Sequence, residues 1–118
     1  MISIPSAFAP SYAQARVKFL EAAATASTAI RSFKHPLPGR DGEQLAMDVA
    51  LDGDPASGRL LIVSSACHGV EGYCGSGVQV FALHDDEWRA KARDAGVAVL
   101  YIHALNPYGF SHIRRVTP

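Results

Sequence analysis

The alternation of apolar and polar positions predicts elements in the order helix, strand, strand, helix, helix, strand. An Ala-rich stretch with apolar residues at near-helical spacing predicts a helix over 10–30, capped by Ser11. Residues 44–51 alternate between apolar and polar side chains, as a strand with one solvated face does. Two continuous apolar runs, 59–65 and 97–102, are typical of strands buried on both faces.

Helical patterns over 69–83 and 85–95 separate the two apolar runs. Buried strands joined by a helical crossover pair in parallel, and the crossover is right-handed. We therefore expect an α/β fold, part of a three-layer α/β/α arrangement with a mixed, largely parallel sheet. Pro36 and Pro38, followed by Gly39 and Gly42, predict a turn between the first helix and the first strand.

The amino-acid composition excludes two classes of binding partner. Eleven basic residues balance eleven acidic ones, so the chain has no electrostatic footprint for nucleic acid or an anionic membrane. The N-terminus lacks the pattern of a signal peptide, and no apolar stretch has the length of a membrane span. A cytoplasmic location is the expectation, with Cys67 and Cys74 as reduced thiols.

The segment 64–72 follows the first apolar run and opens a helix, which is where open α/β sheets bind ligands. His68 and Glu71 are three residues apart across this turn, a spacing that lets the two side chains converge on one point. Imidazole and carboxylate both bind Zn²⁺, at about 2.0–2.2 Å, and a catalytic zinc also needs a third protein ligand. Gly69 and Gly72 leave room for a tight turn. Taken alone, this pair is a weak signal, and a structural histidine at a helix start is the alternative.

A second segment, HALNPYGF over 103–110, follows the second apolar run and is predicted to reach the same sheet edge. With CHGVEGYCGSG over 67–77 and SHIRRV over 111–116, it resembles the zinc carboxypeptidase superfamily, which includes carboxypeptidase A. The nearest pattern belongs to an uncharacterised bacterial branch that reads THGVEGFCGSG and later HALNPYGFxHxRRVN. The resemblance covers most of the second half of the chain, and the first half adds only a compatible pattern.

The resemblance implies roles for four residues. His68 and Glu71 match the first two zinc ligands, with Zn²⁺ as the cofactor. Arg115, or else its neighbour Arg114, matches the group that polarises the scissile carbonyl and stabilises the oxyanion. In the family, a zinc-bound water attacks the carbonyl and a downstream glutamate acts as the general base.

The family pattern continues beyond the two arginines. It contains an Asn-Arg segment that holds the substrate carboxylate, a third zinc ligand and the catalytic glutamate, whereas here Val116 is followed by Thr117 and Pro118. We therefore expect residues 1–118 to be the N-terminal portion of a carboxypeptidase-like domain whose C-terminal part is missing, and to be inactive alone.

Three functions remain open at this point. The first is a metallocarboxypeptidase-like hydrolase that cleaves an amide bond of a peptide. The second is a deacylase of N-acyl amino acids, resembling the aspartoacylase and succinylglutamate desuccinylase branch. The third is a non-catalytic remnant or a partner-dependent chain, for which an open apolar sheet edge beside the 97–102 strand invites self-association.

The cysteines and the remaining histidines offer weaker alternative sites. Cys67 beside His68 is a candidate nucleophile with its base, and both cysteines with His68 are a candidate structural zinc set. His103 and His112 are candidate further metal ligands, although a hydrogen bond at the sheet edge and a surface position are favoured for them. Cys74 is expected to pack on its helix, and His35 and His84 are expected to be exposed without partners.

Overall fold

The computed structural model describes residues Met1–Pro118, which form four helices and one four-stranded sheet. The helices are α1 Tyr12–Thr25, α2 Gly72–His84, α3 Asp86–Asp94 and α4 Pro107–Ser111. The strands are β1 Ala29–Pro38, β2 Gln44–Asp52, β3 Leu60–Ser64 and β4 Ala98–His103. Short 3₁₀ turns lie at Pro5–Ala7 and Gly69–Glu71. None of the helices has the length and apolar character needed to cross a bilayer.

The strands lie in the order β1-β2-β4-β3. β3 and β4 are parallel, whereas β2 pairs antiparallel with both β1 and β4. The predicted α/β class with a mixed sheet is confirmed, and so is the parallel pair joined by a helical crossover through α2 and α3. The sheet is not largely parallel as predicted, because β3 and β4 are the one parallel pair among three and β2 runs antiparallel beside β4. The parallel pair brings the carboxyl ends of β3 and β4 to the same edge.

Helices α1, α2 and α3 cover one face of the sheet. Alternate residues of β2 and β4, among them Ala50, Val99 and Tyr101, point to this face and are buried with Phe19 of α1. Two polar groups anchor α3 to the same face, because Trp88 Nε1 donates to Tyr101 Oη at 3.0 Å. Alternate positions on the other face, including Met47 and Leu100, are half-buried.

The first helix is shorter than predicted. α1 ends at Thr25, and Ser27 adopts a positive φ of 57° just beyond it. Residues 29–38, predicted as the end of a helix followed by a turn, instead form β1. β1 is an edge strand, so Pro36 and Pro38 remove no ladder hydrogen bond that the sheet interior would need.

The apolar run at β3 is not buried on both faces, as its sequence had predicted. β3 is the other edge of the sheet, and the exposed fractions of Leu60 and Ile62 are 57% and 55%. The prediction fails because a short apolar run has the same sequence pattern at an edge as in a sheet interior. The exposed apolar edge is therefore β3, and not the side of the 97–102 strand, which lies between β2 and β3.

Candidate functional site

The two motif segments leave β3 and β4 side by side. Leu105 N–H donates to Ser65 O at 3.0 Å, and Asn106 N–H donates to Ala66 O at 2.9 Å. These bonds continue the parallel pairing beyond the last strand residues. The prediction that both segments meet at one sheet edge is confirmed.

The backbone is strained at three positions around this edge. Ala66 and Ala104, just past the ends of β3 and β4, have φ values of 56° and 71°, and Ile113 has 56°. A non-glycine residue in the left-handed region costs about 1–3 kcal/mol and persists only where its surroundings impose it, often at functional sites. Ile113 immediately precedes Arg114, so the last of these strained positions sets the direction of the arginine pair.

Two glycines allow α4 to lie directly on the 3₁₀ turn Gly69–Glu71. A Cβ at Gly69 would be 2.1 Å from the carbonyl carbon of Gly109, and one at Gly72 would be 2.3 Å from Cδ2 of Phe110. Real Cβ atoms do not approach other heavy atoms this closely. Gly69 is therefore explained by contact with the α4 backbone, and Gly72 by contact with the Phe110 side chain.

Replacing Gly69 by alanine is expected to lower the free energy of unfolding by about 1–3 kcal/mol, because the methyl group must push the α4 backbone away. Urea denaturation followed by circular dichroism measures this change. Val70→Ala is the matched control, since Val70 is the next residue and its side chain is exposed. Equal stability of Gly69→Ala and Val70→Ala would show that α4 does not pack against the turn in this way.

The chain segment after α4 returns to the start of the 3₁₀ turn. Gly69 N–H donates to Arg115 O at 3.0 Å, and Val70 N–H donates to Arg114 O at 3.1 Å. These bonds place the Arg115 side chain beside His68, where a guanidinium nitrogen lies 3.4 Å from His68 Nε2. His68 is half-buried and Arg115 is exposed, so both face an open cleft.

The two arginines have different surroundings. The Arg114 guanidinium lies over the Tyr108 ring, 5.8 Å from the ring centroid, in a cation–π arrangement. Arg115 instead contacts the imidazole of His68. Of the two residues that the sequence nominated for one role, Arg115 is the one beside the predicted metal ligand.

His68 and Glu71 lie at the two ends of the same short turn. His68 is the residue before its first position, and Glu71 is its last position and the residue that precedes α2. Imidazole and carboxylate are donors of the kind that zinc accepts. No three His, Cys, Asp or Glu side chains in the chain are grouped so as to hold a metal. The donor types fit zinc, and their number is one short of the three protein ligands of a catalytic site.

A cleft of about 320 Å³ is lined by His68 and Arg115, whereas Glu71 is exposed and lies outside its wall. Its wall also includes Cys67, Asn106 and His35. Sequence reasoning predicted His35 to be exposed without a partner, whereas its ring is half-buried and stacks on Tyr108 with centroids 6.0 Å apart. The residue was missed because the strand that carries it, β1, was itself missed.

The remaining histidines that were considered as ligands are engaged elsewhere. His103 is fully buried, its Nε2 lies 2.8 Å from Ser76 Oγ, and burial lowers its pKa from 6.5 to about 4. His112 stacks on Tyr108 with centroids 4.1 Å apart, and its Nε2 lies 3.3 Å from Pro38 O. Cys74 is exposed, which contradicts its predicted packing on the helix.

Ser76, His103 and Asp48 look like a nucleophile, base and carboxylate, but the arrangement cannot reach a substrate. All three side chains are buried, with exposed fractions of 2% or less. Asp48 of β2 is the register partner of His103 in the neighbouring strand β4. The carboxylate oxygens of Asp48 nevertheless accept hydrogen bonds from Arg16 and Ser32, and not from His103. His103 Nδ1 has no hydrogen-bond partner, so the triad geometry is incomplete as well as enclosed.

Comparison with known proteins yields one family and one structural neighbour. A family model described as "Protein of unknown function (DUF2817)" matches residues 8–118. No curated protein matches the chain. A glutaminyl cyclase from Porphyromonas gingivalis is similar in structure at 16% identity, with a TM-score of 0.37, over 93% of this chain and 50% of that one. The chain thus spans half the length of that solved structure.

Proposed function

Since the chain belongs to the DUF2817 family, we propose from its own site that the cleft is part of a zinc-dependent, carboxypeptidase-like hydrolase centre. In this proposal His68 and Glu71 are metal ligands and Arg115 is the group that polarises the substrate carbonyl. The observation that carries the proposal is the 3.4 Å contact between His68 Nε2 and the Arg115 guanidinium, made between residues 47 positions apart. This contact supports the two roles that the resemblance to zinc carboxypeptidases implies, His68 as a metal ligand and Arg115 as the group that polarises the carbonyl.

The residues of this chain would contribute binding and electrostatics. His68 and Glu71 would hold the ion at the two ends of the 3₁₀ turn, fixed by the backbone bonds from Gly69 and Val70. A bound zinc ion supplies a Lewis acid and lowers the pKa of a water molecule. Arg115 is exposed and would donate N–H groups to the carbonyl oxygen as negative charge develops there. Its guanidinium offers several donors and stays charged.

A third protein ligand and a general base are further requirements of this chemistry. The 118 residues contain no group of three His, Cys, Asp or Glu side chains that could hold a metal ion. In our proposal residues 1–118 are the N-terminal portion of the catalytic domain, and the third ligand and the general base belong to its C-terminal part. The substrate class is an amide beside a carboxylate, which peptides and N-acyl amino acids both offer.

Zinc titration by calorimetry tests the ligand assignment. We expect one zinc ion per chain with micromolar affinity, because two protein donors hold the ion without enclosing it. His68→Ala and Glu71→Ala should each abolish this binding. His84→Ala is the matched control, since His84 lies at the far end of α2 and should leave zinc affinity unchanged.

Two results would count against the proposal. Absence of zinc binding by the wild-type chain would remove the metal from this site. Equal loss of zinc affinity in His84→Ala and His68→Ala would show that the ion does not select this site, since both histidines, including His84 that was expected to be exposed, are half-buried.

A further inference from the structure

His35 is brought to the cleft by an irregularity in β1. Lys34 pairs with Ala46 and Pro38 pairs with Gln44, so residues 35–37 of β1 stand opposite Leu45 alone. Extra residues in one strand bend it and turn a side chain out of the regular alternation, a device often found beside active sites. Here the irregular segment carries the ring of His35 to the wall of the cleft that holds His68 and Arg115.

Two contacts fix the orientation of the His35 ring. The ring stacks on Tyr108, with an interplanar angle of 30°. His35 Nδ1 accepts a hydrogen bond from the Leu37 backbone N–H at 3.1 Å. An Nδ1 that accepts carries no hydrogen, so the hydrogen of the neutral ring is on Nε2. The polar atom that His35 leaves free is therefore a donor.

The cleft around His35 is rich in donors and has no carboxylate on its wall. Arg115 contributes its guanidinium. Asn106 uses its side-chain oxygen to accept from Gly109 N–H at 2.9 Å, and its amide nitrogen donates one hydrogen to Arg115 O at 3.5 Å, which leaves a second hydrogen to donate. Thr117 adds a hydroxyl to the wall. A ligand that matches such a wall presents anionic oxygen.

We propose that His35 is a ligand-binding residue of this cleft, and that its Nε2–H donates to an anionic oxygen of the substrate. The inference rests on the proposed function only for the identity of the cleft as the substrate site. It adds a contact from β1, an element outside both motif segments, and it assigns His35 to substrate recognition and not to metal binding.

Ligand titration followed by NMR tests the proposal, with the anion of N-acetylglycine as the probe and neutral N-acetylglycinamide as its uncharged analogue. We expect saturable binding of N-acetylglycine that shifts the His35 ring nitrogens, and weaker binding of the neutral analogue. His35→Phe keeps a ring to stack on Tyr108 and removes the donor, so it should weaken binding of the anion about tenfold. His35→Gln restores a side-chain donor and should bind more tightly than His35→Phe. His84→Gln, outside the cleft, should bind as the wild type does.

The same variants separate this inference from the zinc assignment. Zinc affinity of His35→Phe should equal that of the wild type, whereas His68→Ala should lose it. Wild-type affinity for N-acetylglycine in His35→Phe would overturn the role of His35 while leaving the zinc result intact. Equal binding of the charged and neutral probes, or no saturable binding of either, would also overturn the proposal.

Discussion

Replacing Asp48 by alanine is expected to lower the free energy of unfolding by about 3–5 kcal/mol, because it leaves a largely buried guanidinium without its carboxylate. Asp48 is fully buried, and its two oxygens accept from Arg16 Nε at 2.8 Å and from a terminal Arg16 nitrogen at 3.1 Å. Ser32 Oγ donates to the same carboxylate. The hydrogen bond to Asp48 raises the pKa of Arg16. The guanidinium also stays charged when that bond is removed, because arginine is not deprotonated in proteins.

The Asp48 prediction is measured by urea denaturation at neutral pH. A loss of this size is a large fraction of the stability of a small domain, so a partly unfolded variant is an expected outcome. The matched control is Lys91→Ala, which breaks the exposed Lys91–Glu87 pair on α3 and should leave stability nearly unchanged. The double variant R16M/D48L should be more stable than Asp48→Ala, since it removes both charges together. An Asp48→Ala variant as stable as the Lys91→Ala control would contradict the prediction.

The features of the fold that the sequence predicts are those encoded by local pattern. Two apolar runs separated by helical periodicity predict the parallel pair of β3 and β4, because such a crossover has few alternatives. The meeting of the His68 segment with the Asn106 segment follows from that pairing. Gly69 then has a physical reason, since it lies against the backbone of Gly109. A Cβ at Gly109 would instead meet the Asn106 side chain and Arg114 O.

The features that were missed depend on contacts between distant residues. β1 contains Arg31, Lys34 and two prolines without regular alternation, and it becomes a strand because β2 supplies its partner. The edge position of β3 is set by the strand order, which its own apolar run does not encode. His35 reaches the cleft through an irregular pairing, and no local pattern distinguishes it from an exposed histidine.

The burial of His103 illustrates the same limit within the candidate site. The residue opens the HALNPYGF segment, yet its ring stacks on Phe19, 84 positions earlier, with centroids 4.6 Å apart. Its hydrogen-bonding group is Ser76 of α2. The segment therefore has two functions in the fold. His103, Ala104 and Phe110 belong to the core, whereas Leu105, Asn106 and Pro107 line the cleft.

The buried His103 is expected to make the protein less stable in weak acid, by about 3 kcal/mol between pH 7 and pH 4. Burial lowers its pKa from 6.5 to about 4, and the nearby Asp48 only partly offsets this effect. The unfolded chain binds the proton more readily, so this contribution to stability is complete above pH 6.5. It falls as the pH decreases toward 4 and is fully lost only below that value, where the folded-state histidine is protonated as well.

Unfolding free energies measured in urea at several pH values between 7 and 4 test the acid response. Other groups titrate in the same range, so the comparison with His103→Gln isolates the histidine. That variant should be less stable at pH 7, because the Ser76 hydroxyl loses the imidazole nitrogen 2.8 Å away, and its stability should change less with pH. The two curves should converge as the pH approaches 4. Parallel curves, with the same loss of stability in both proteins, would mean that His103 takes up its proton as easily in the folded state as in the unfolded one.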